Sequence, residues 1–292
     1  MNHPVSVTIV NAFVDGDEGG NPAGVVLDAE AFTTEQKLAI AGHVGLSETA
    51  FVSRSRLADF KLEFFTPTRQ IAHCGHATIA TFSLLRASGR IGSGPSSKET
   101  IDGVRRIELE GDLAFMEQRA PVYSELSGEQ QDRALAALGI GRSALAEGLT
   151  PCVVNTGNSF LLIPLENGER LRRLAPDFGA IERMSETLDL VGFYPFARLP
   201  STTGRQASTR MFAPRYGVRE ESATGTAAGP LACYLHQRGA ESSTTQHIEQ
   251  GQWMDAPSPS VLTARLHVEH DRITRLFVGG RARVRGTVQV RL

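Results

Sequence analysis

Glu48 stands in the run Leu46-Ser47-Glu48-Thr49-Ala50-Phe51-Val52, an acid where an otherwise apolar strand begins. A partly buried carboxyl has a raised pKa and can take up and return protons near neutral pH. On spacing alone, a capping or surface glutamate is the stronger reading. Further along, His73-Cys74-Gly75-His76 places a thiol between two imidazoles. The cluster suggests a metal or a thiol nucleophile. Zinc sites normally draw on a second ligand pair, and no matching Cys/His pair occurs elsewhere, so we expect no metal. A thiolate at a helix start has a lowered pKa, which makes Cys74 a candidate reactive group. A racemase working with two thiols needs one on each face of the substrate carbon, and the position matching Cys74 in the repeat described next is Thr224. Glu220-Glu221 precedes that second turn. Charge pairs before helices are usually solvated caps, yet two carboxylates beside an anion site would repel the anion. One of them can instead bind a substrate ammonium or hydroxyl, or shuttle a proton.

The elements that must position these groups are written twice. Phe65-Thr-Pro, Cys74-Gly75-His76-Ala77 and an apolar run to Gly89 are matched by Phe212-Ala-Pro, Thr224-Gly225-Thr226-Ala227 and an apolar run to Gly239. Each copy reads as strand, loop, glycine turn, helix and glycine C-cap. Two similar lobes facing one another across a cleft are expected. At each helix start the free amides of Gly75 to Ala77 and Gly225 to Ala227, with the helix dipole, suit a carboxylate. The plainer alternative is that the glycines merely permit a tight strand-to-helix turn. Two matched turns, each with a polar residue after the glycine (His76, Thr226), favour the cleft.

Strands are expected over Val5–Phe13, Ala23–Leu27, Ser47–Val52, Phe60–Thr66, Arg106–Glu110 and Leu113–Gln118, with turns at Gly19–Pro22 and Gly111-Asp112 and a loop from Gly92 to Lys98. Thr33-Thr-Glu-Gln36 and Ser127-Gly-Glu-Gln130 are capping boxes that open helices. Beyond Pro121 we expect strand material over Val153–Leu165, a helical stretch Leu171–Leu188, strands Leu190–Ala197 and Ser208–Phe212, and three tail strands at Leu262–Val268, Ile273–Val278 and Thr287–Leu292. The helices from Gly75 and Gly225 are apolar on most faces and belong inside their lobes. The fold class is α+β: two pseudo-symmetric lobes, each a mainly antiparallel β-barrel around a central helix. The N-terminal lobe takes residues 1–120, which the strand near 280–292 can join, and the C-terminal lobe takes 121–292.

Composition sets limits. Of 292 residues, 41% are hydrophobic and 21% charged, the profile of a water-soluble globular chain. A net charge of −2 with mixed signs argues against nucleic acid. The C-terminal arginines alternate with apolar residues, as on the outer face of strands. No apolar run reaches membrane length and the N-terminus lacks a signal pattern. Three widely spaced cysteines fit a reducing cytoplasm without disulfides.

Taken together, Gly20-Asn21-Pro22-Ala23, Ser47-Glu48-Thr49-Ala50-Phe51, Phe65-Thr66-Pro67 with Cys74-Gly75-His76-Ala77-Thr78, Phe212-Ala213-Pro214 with Ala223-Thr224-Gly225-Thr226-Ala227, and Val278-Gly279-Gly280 resemble the phenazine-biosynthesis PhzF-like family, within the diaminopimelate-epimerase-like fold. The resemblance implies a homodimeric enzyme without a cofactor. It implies that Glu48 transfers the proton and that His76, Glu221 and Thr226 stand at catalytic positions. Cys74, Gly75, Ala77, Gly225 and Ala227 would bind substrate. The family's common E-D-P-x-T-G-S reads Glu220-Glu221-Ser222-Ala223-Thr224-Gly225-Thr226 here, and its R-P-S reads Ala256-Pro257-Ser258. A longer acid and a bulkier hydroxyl change the cleft.

The expectation is therefore a cytoplasmic isomerase that moves a proton between carbons of a small carboxylate-bearing substrate. One movable carboxylate suits a proton shift, whereas inversion needs two bases. The rivals are an epimerase, racemase or dehydratase acting through Cys74, and a non-catalytic ligand-binding member of the fold.

Overall fold

A computed structural model describes residues 4–292. The chain divides into two compact units. One contains the segment ending at Glu117 together with Gly279–Leu292, the other Gln118–Val278. The first unit holds strands β1 (Val5–Ala12), β2 (Asn21–Val26), β3 (Thr49–Ser53), β4 (Phe60–Phe65), β5 (Gln70–Ile71), β6 (Gly94–Thr100), β7 (Gly103–Glu110) and β8 (Leu113–Gln118), with helices α1 (Thr34–Val44) and α2 (Gly75–Ala87). The second holds β9 (Val122–Glu125), β10 (Cys152–Asn155), β11 (Ser159–Leu165), β12 (Gly192–Arg198), β13 (Ala207–Thr209), β14 (Thr245–Gln250) and β15 (Ser260–Glu269), with α3 (Gly128–Ala137), α4 (Gly168–Arg172), α5 (Phe178–Thr187) and α6 (Gly225–Arg238). The last strand, β16 (Arg272–Val290), is continuous through the unit boundary.

In the first unit the strand order β1-β2-β3-β4-β6-β7-β8-β16 closes on itself through antiparallel pairing of β1 with β16. Closure removes the exposed edges of the sheet. Helix α2 fills this barrel; His76 to Phe82, Leu84 and Leu85 on it are all buried. In the second unit the order β16-β15-β14-β13-β12-β11-β10-β9 surrounds α6, buried from Ala227 to Leu235. The expected α+β architecture of two sheets, each wrapped on one apolar helix, is the one found.

The duplication extends into strand register. Strands β1 and β2 are antiparallel with Ile9 opposite Gly24, as are β10 and β11 with Val153 opposite Leu161. Next come parallel pairs, Gly24 beside Thr49 and Leu161 beside Phe193. Thr49 then faces Phe65, and Phe193 faces Phe212. On this register Ile9-Val10-Asn11 matches Val153-Val154-Asn155, and Gly20-Asn21 matches Gly157-Asn158. Glu48, one residue before Thr49, falls on Gly192. A Cβ at Gly192 would lie 2.2 Å from the carbonyl oxygen of Phe212, so no side chain fits there.

Several local expectations are corrected. The Gly92–Lys98 loop is largely strand β6: turn-forming residues yield when β7 pairs along their whole length. The stretch Leu171–Leu188 is two helices, interrupted before Phe178, where Pro176 lacks an N–H and Asp177 starts a new cap. The second and third tail strands are one. Both capping boxes form, but α1 lies between β2 and β3 whereas α3 precedes β10, so these helices are not counterparts. Capping is a local interaction that any helix start can use. Gly89 is left-handed after the Ser88 cap, while α6 runs one residue longer and Ala240, not Gly239, takes the left-handed position. Gly192→Ala is expected to cost about 2–3 kcal/mol in urea unfolding, because the new methyl meets backbone that cannot rotate away.

Candidate active site

Helix α2 begins without a side-chain cap: Cys74 is the N-cap, extended at φ −144°, and contributes no capping hydrogen bond. Its first amides are therefore directed at whatever occupies the space before the helix. Three groups gather there. His76 Nε2 lies 3.2 Å from Glu48 Oε2, and Cys74 Sγ lies 3.6 Å from His76 Nδ1. The Glu48 side chain keeps 17% of its surface exposed and His76 4%, and the two atoms that face each other, Glu48 Oε2 and His76 Nε2, are both buried. The Glu48–Thr49 peptide is pinned where Glu48 O accepts from Gly24 N at 3.1 Å.

The electrostatics reverse one expectation about Glu48. Burial works against its ionisation, but His76 beside it and a hydrogen bond to Ser47 more than offset that, and its pKa is lowered. Glu48 is therefore ionised near neutral pH. Burial equally resists charging His76, yet its hydrogen bonds to Cys74 and Glu48 and the Glu48 charge hold its pKa well above the ordinary value. Cys74 also departs from expectation: burial pushes its thiol up, which outweighs His76 and leaves a poor thiolate. The three side chains are close enough to be considered for a metal. One ligand atom from each lies within 4.8 Å of the other two, the thiol nearest Nδ1 and the carboxylate nearest Nε2.

At the start of α6, Thr224 is the N-cap, Gly225 and Ala227 are buried and Thr226 is half-buried. Glu221 accepts from the Thr224 hydroxyl at 2.6 Å. Glu220 is engaged elsewhere, in a bidentate pair with Arg210 at 2.8 and 2.7 Å, and that guanidinium lies over Phe212. Of the two adjacent acids, Glu221 alone is directed to the helix start. Gln250 ties the turn together: Oε1 accepts from Thr224 N, and Nε2 donates to Glu221 O and Thr224 Oγ1. Gln118 Nε2 donates to Gly225 O at 2.8 Å along the face of Gly229, where a Cβ would come within 2.2 Å of Gln118 Oε1.

The structure thus groups Glu48, Cys74, Gly75, His76 and Ala77 in the first unit, and Glu221, Gly225, Thr226 and Ala227 in the second. Gln118, Gln250 and Lys98 support these turns, and the sequence reading did not single them out. A glutamine in a strand carries no positional signal, and Lys98 was assigned to a loop.

The charged pair has a defined pH window. Glu48, with its lowered pKa, stabilises the fold above its ordinary 4.5 and loses that contribution as pH falls through the folded value. His76, with its raised pKa, contributes fully below 6.5 and loses it as pH rises through the folded value. The His76 ring is therefore expected to titrate above 6.5 by NMR, and Glu48→Gln should move that midpoint down. An unmoved midpoint would mean that the two groups do not interact.

Comparison with known proteins bears on the family and the fold. The family model described as phenazine biosynthesis-like protein matches residues 10–286. The trans-2,3-dihydro-3-hydroxyanthranilate isomerase of Pseudomonas chlororaphis is 32% identical over 286 residues, 96% of each chain. An uncharacterized isomerase of Clostridium acetobutylicum is 31% identical over 233 residues, 77% of each chain. The crystal structure of a Bacillus anthracis phenazine biosynthesis protein of the PhzF family superimposes with a TM-score of 0.87 at 26% identity, covering 99% of both chains. This chain belongs to the phenazine biosynthesis-like (PhzC-PhzF) protein family.

Proposed function

We propose that this isomerase moves a proton between two carbons of a small carboxylate-bearing substrate, with Glu48 as the group that carries it. The observation behind this reading is the Glu48 carboxylate, held ionised beside His76 at the uncapped start of α2. An ionised carboxylate takes a proton from an activated C–H bond. The electron pair left on carbon spreads into the conjugated substrate, and the neutral Glu48 returns the proton to a second carbon on the same face. No net oxidation occurs and the enzyme ends as it began. Charged His76 and the amides of Gly75 to Ala77 are suited to hold the negative charge that develops. Glu221, Thr226 and the amides of Gly225 to Ala227 are proposed as substrate-binding groups.

The absence of any side chain at Gly192, the register counterpart of Glu48, supports a one-base proton shift. The raised pKa of Cys74 weighs against thiol chemistry. The Pseudomonas chlororaphis relative is named for trans-2,3-dihydro-3-hydroxyanthranilate, a cyclic amino and hydroxy carboxylate. We carry over that class of substrate rather than the compound itself. Independence of a cofactor, a homodimeric assembly and a cytoplasmic location complete the reading and rest on family resemblance. Among the described residues no helix is long and apolar enough to cross a membrane.

Assays on a panel of small cyclic and amino carboxylates, trans-2,3-dihydro-3-hydroxyanthranilate among them, test this. Glu48→Gln should lower kcat/KM by ~10²–10⁴-fold, the usual contribution of a general acid–base group, with ligand affinity nearly intact. A loss below about tenfold contradicts the assignment. Cys74→Ser should stay within about tenfold of the parent; a serine variant as inactive as Glu48→Gln would transfer the chemistry to the thiol. Gly225→Val should raise the dissociation constant of a carboxylate ligand severalfold or more by blocking backbone approach at α6, measured by calorimetry.

A further inference from the structure

Lys98 is fully buried in the first barrel, yet it has no carboxylate within ion-pair distance among the described residues. It lies on β6, beside Phe60 of β4 and opposite Arg105 of β7. Its ammonium donates to Thr78 Oγ1 at 2.6 Å, stands 3.3 Å from His73 Nδ1 and lies 5.0 Å from the centre of the Phe64 ring. An ammonium has only hydrogens to offer, so Thr78 must accept from it. The Thr78 hydroxyl hydrogen is then committed to Cys74 O, 2.5 Å away. His73 completes the pattern: burial, followed by Lys98 and Arg105, keeps its pKa well below the ordinary value, so neutral Nδ1 can accept from Lys98.

The fold itself does not ask for a lysine there. With Phe65 matched to Phe212, Phe60 matches Ala207. Their parallel neighbours are Lys98 and Ile248, and Ile248 is equally buried. An apolar side chain therefore serves this barrel position in the second unit. A buried, unpaired ammonium is costly where an isoleucine would be favourable.

We propose that Lys98 is a positioning residue: by directing Thr78 onto the Cys74 carbonyl and fixing His73, it holds the first turn of α2 in the geometry that presents His76 and the amides from Gly75. The proposal deepens the reading of Glu48 and His76 as the proton-transfer site and rests on it. The groups facing the ammonium are Thr78 and Cys74 of the α2 start, His73 before it, Phe64 of β4, Arg105 of β7 and Asp102 in the β6–β7 turn. Burial, more than Arg105, lowers the Lys98 pKa to about 7. Above that pH the neutral amine can accept from Thr78 and free the Cys74 carbonyl. Since the unfolded chain keeps its proton to about 10.5, native stability should rise from pH 7 towards 10.

Three readouts test this on the full chain. The ¹⁵N shift of the Gly75 amide should carry a step that coincides with titration of Lys98 Nζ near 7, apart from any step that follows the His76 ring, and the Lys98-linked step should vanish in both Lys98→Met and Thr78→Val. Urea unfolding should find Lys98→Met more stable than the parent at pH 6, with the gap narrowing at pH 9.5. With trans-2,3-dihydro-3-hydroxyanthranilate as probe, both variants should lose at least tenfold in kcat/KM, mainly in kcat. A Gly75 step near 7 that persists in both variants and does not follow the His76 ring, or Lys98→Met less stable than the parent at pH 6, overturns the proposal. Should Lys98→Met fail to fold, the proposal is likewise overturned, since the lysine would then be structural. The amide readout needs no substrate, so it separates failure of Lys98 from failure of the Glu48 reading.

Discussion

A carboxylate taken out of water needs a compensating partner, and at Glu48 that partner is His76 on the first turn of α2. Much else follows from this pairing. The imidazole is buried within the barrel core and stays charged because the carboxylate is near. The carboxylate in turn remains ionised despite its burial. Such a pair gains little net stability over apolar packing, since desolvation offsets attraction. What it fixes is an ionised carboxylate of defined direction beside the first turn of α2.

The duplicated scaffold makes the asymmetry of the chemistry visible. Two sheets share their order of parallel and antiparallel pairs, and their registers agree residue by residue. The chemical groups do not repeat. Glu48 is matched by Gly192, where a side chain has no space; Cys74 by Thr224, His76 by Thr226 and Lys98 by Ile248. The first unit carries the cluster of Glu48, Cys74 and His76. The second carries hydroxyls and amides braced by Gln118 and Gln250. A repeated backbone thus carries different side chains at matching positions.

What could be read from sequence depended on whether the signal was local. The α2 and α6 starts were legible because a glycine turn followed by an apolar run has few other readings, and both capping boxes because they are complete within four residues. The acid in Ser47-Glu48-Thr49-Ala50-Phe51 was legible as a position but not in its ionisation state: burial alone predicts a raised pKa, and only the placement of His76 reverses the sign. Strand β6 was hidden in Gly94-Pro-Ser-Ser, whose turn propensity is overridden by pairing with β7. With it went Lys98, since a lysine announces solvent until a strand turns it inward. The short β9 and β14 depend likewise on neighbours distant in sequence.

The central claim is that one carboxylate works on one face of the substrate. Turnover in D₂O, with the product examined by NMR, tests it most directly. The account predicts that the hydrogen removed from one carbon reappears on the other, with solvent deuterium entering only that carbon and only as far as protonated Glu48 exchanges, and with no stereocentre inverted in product or recovered substrate. Deuterium on an inverted centre would require a second base and would contradict it.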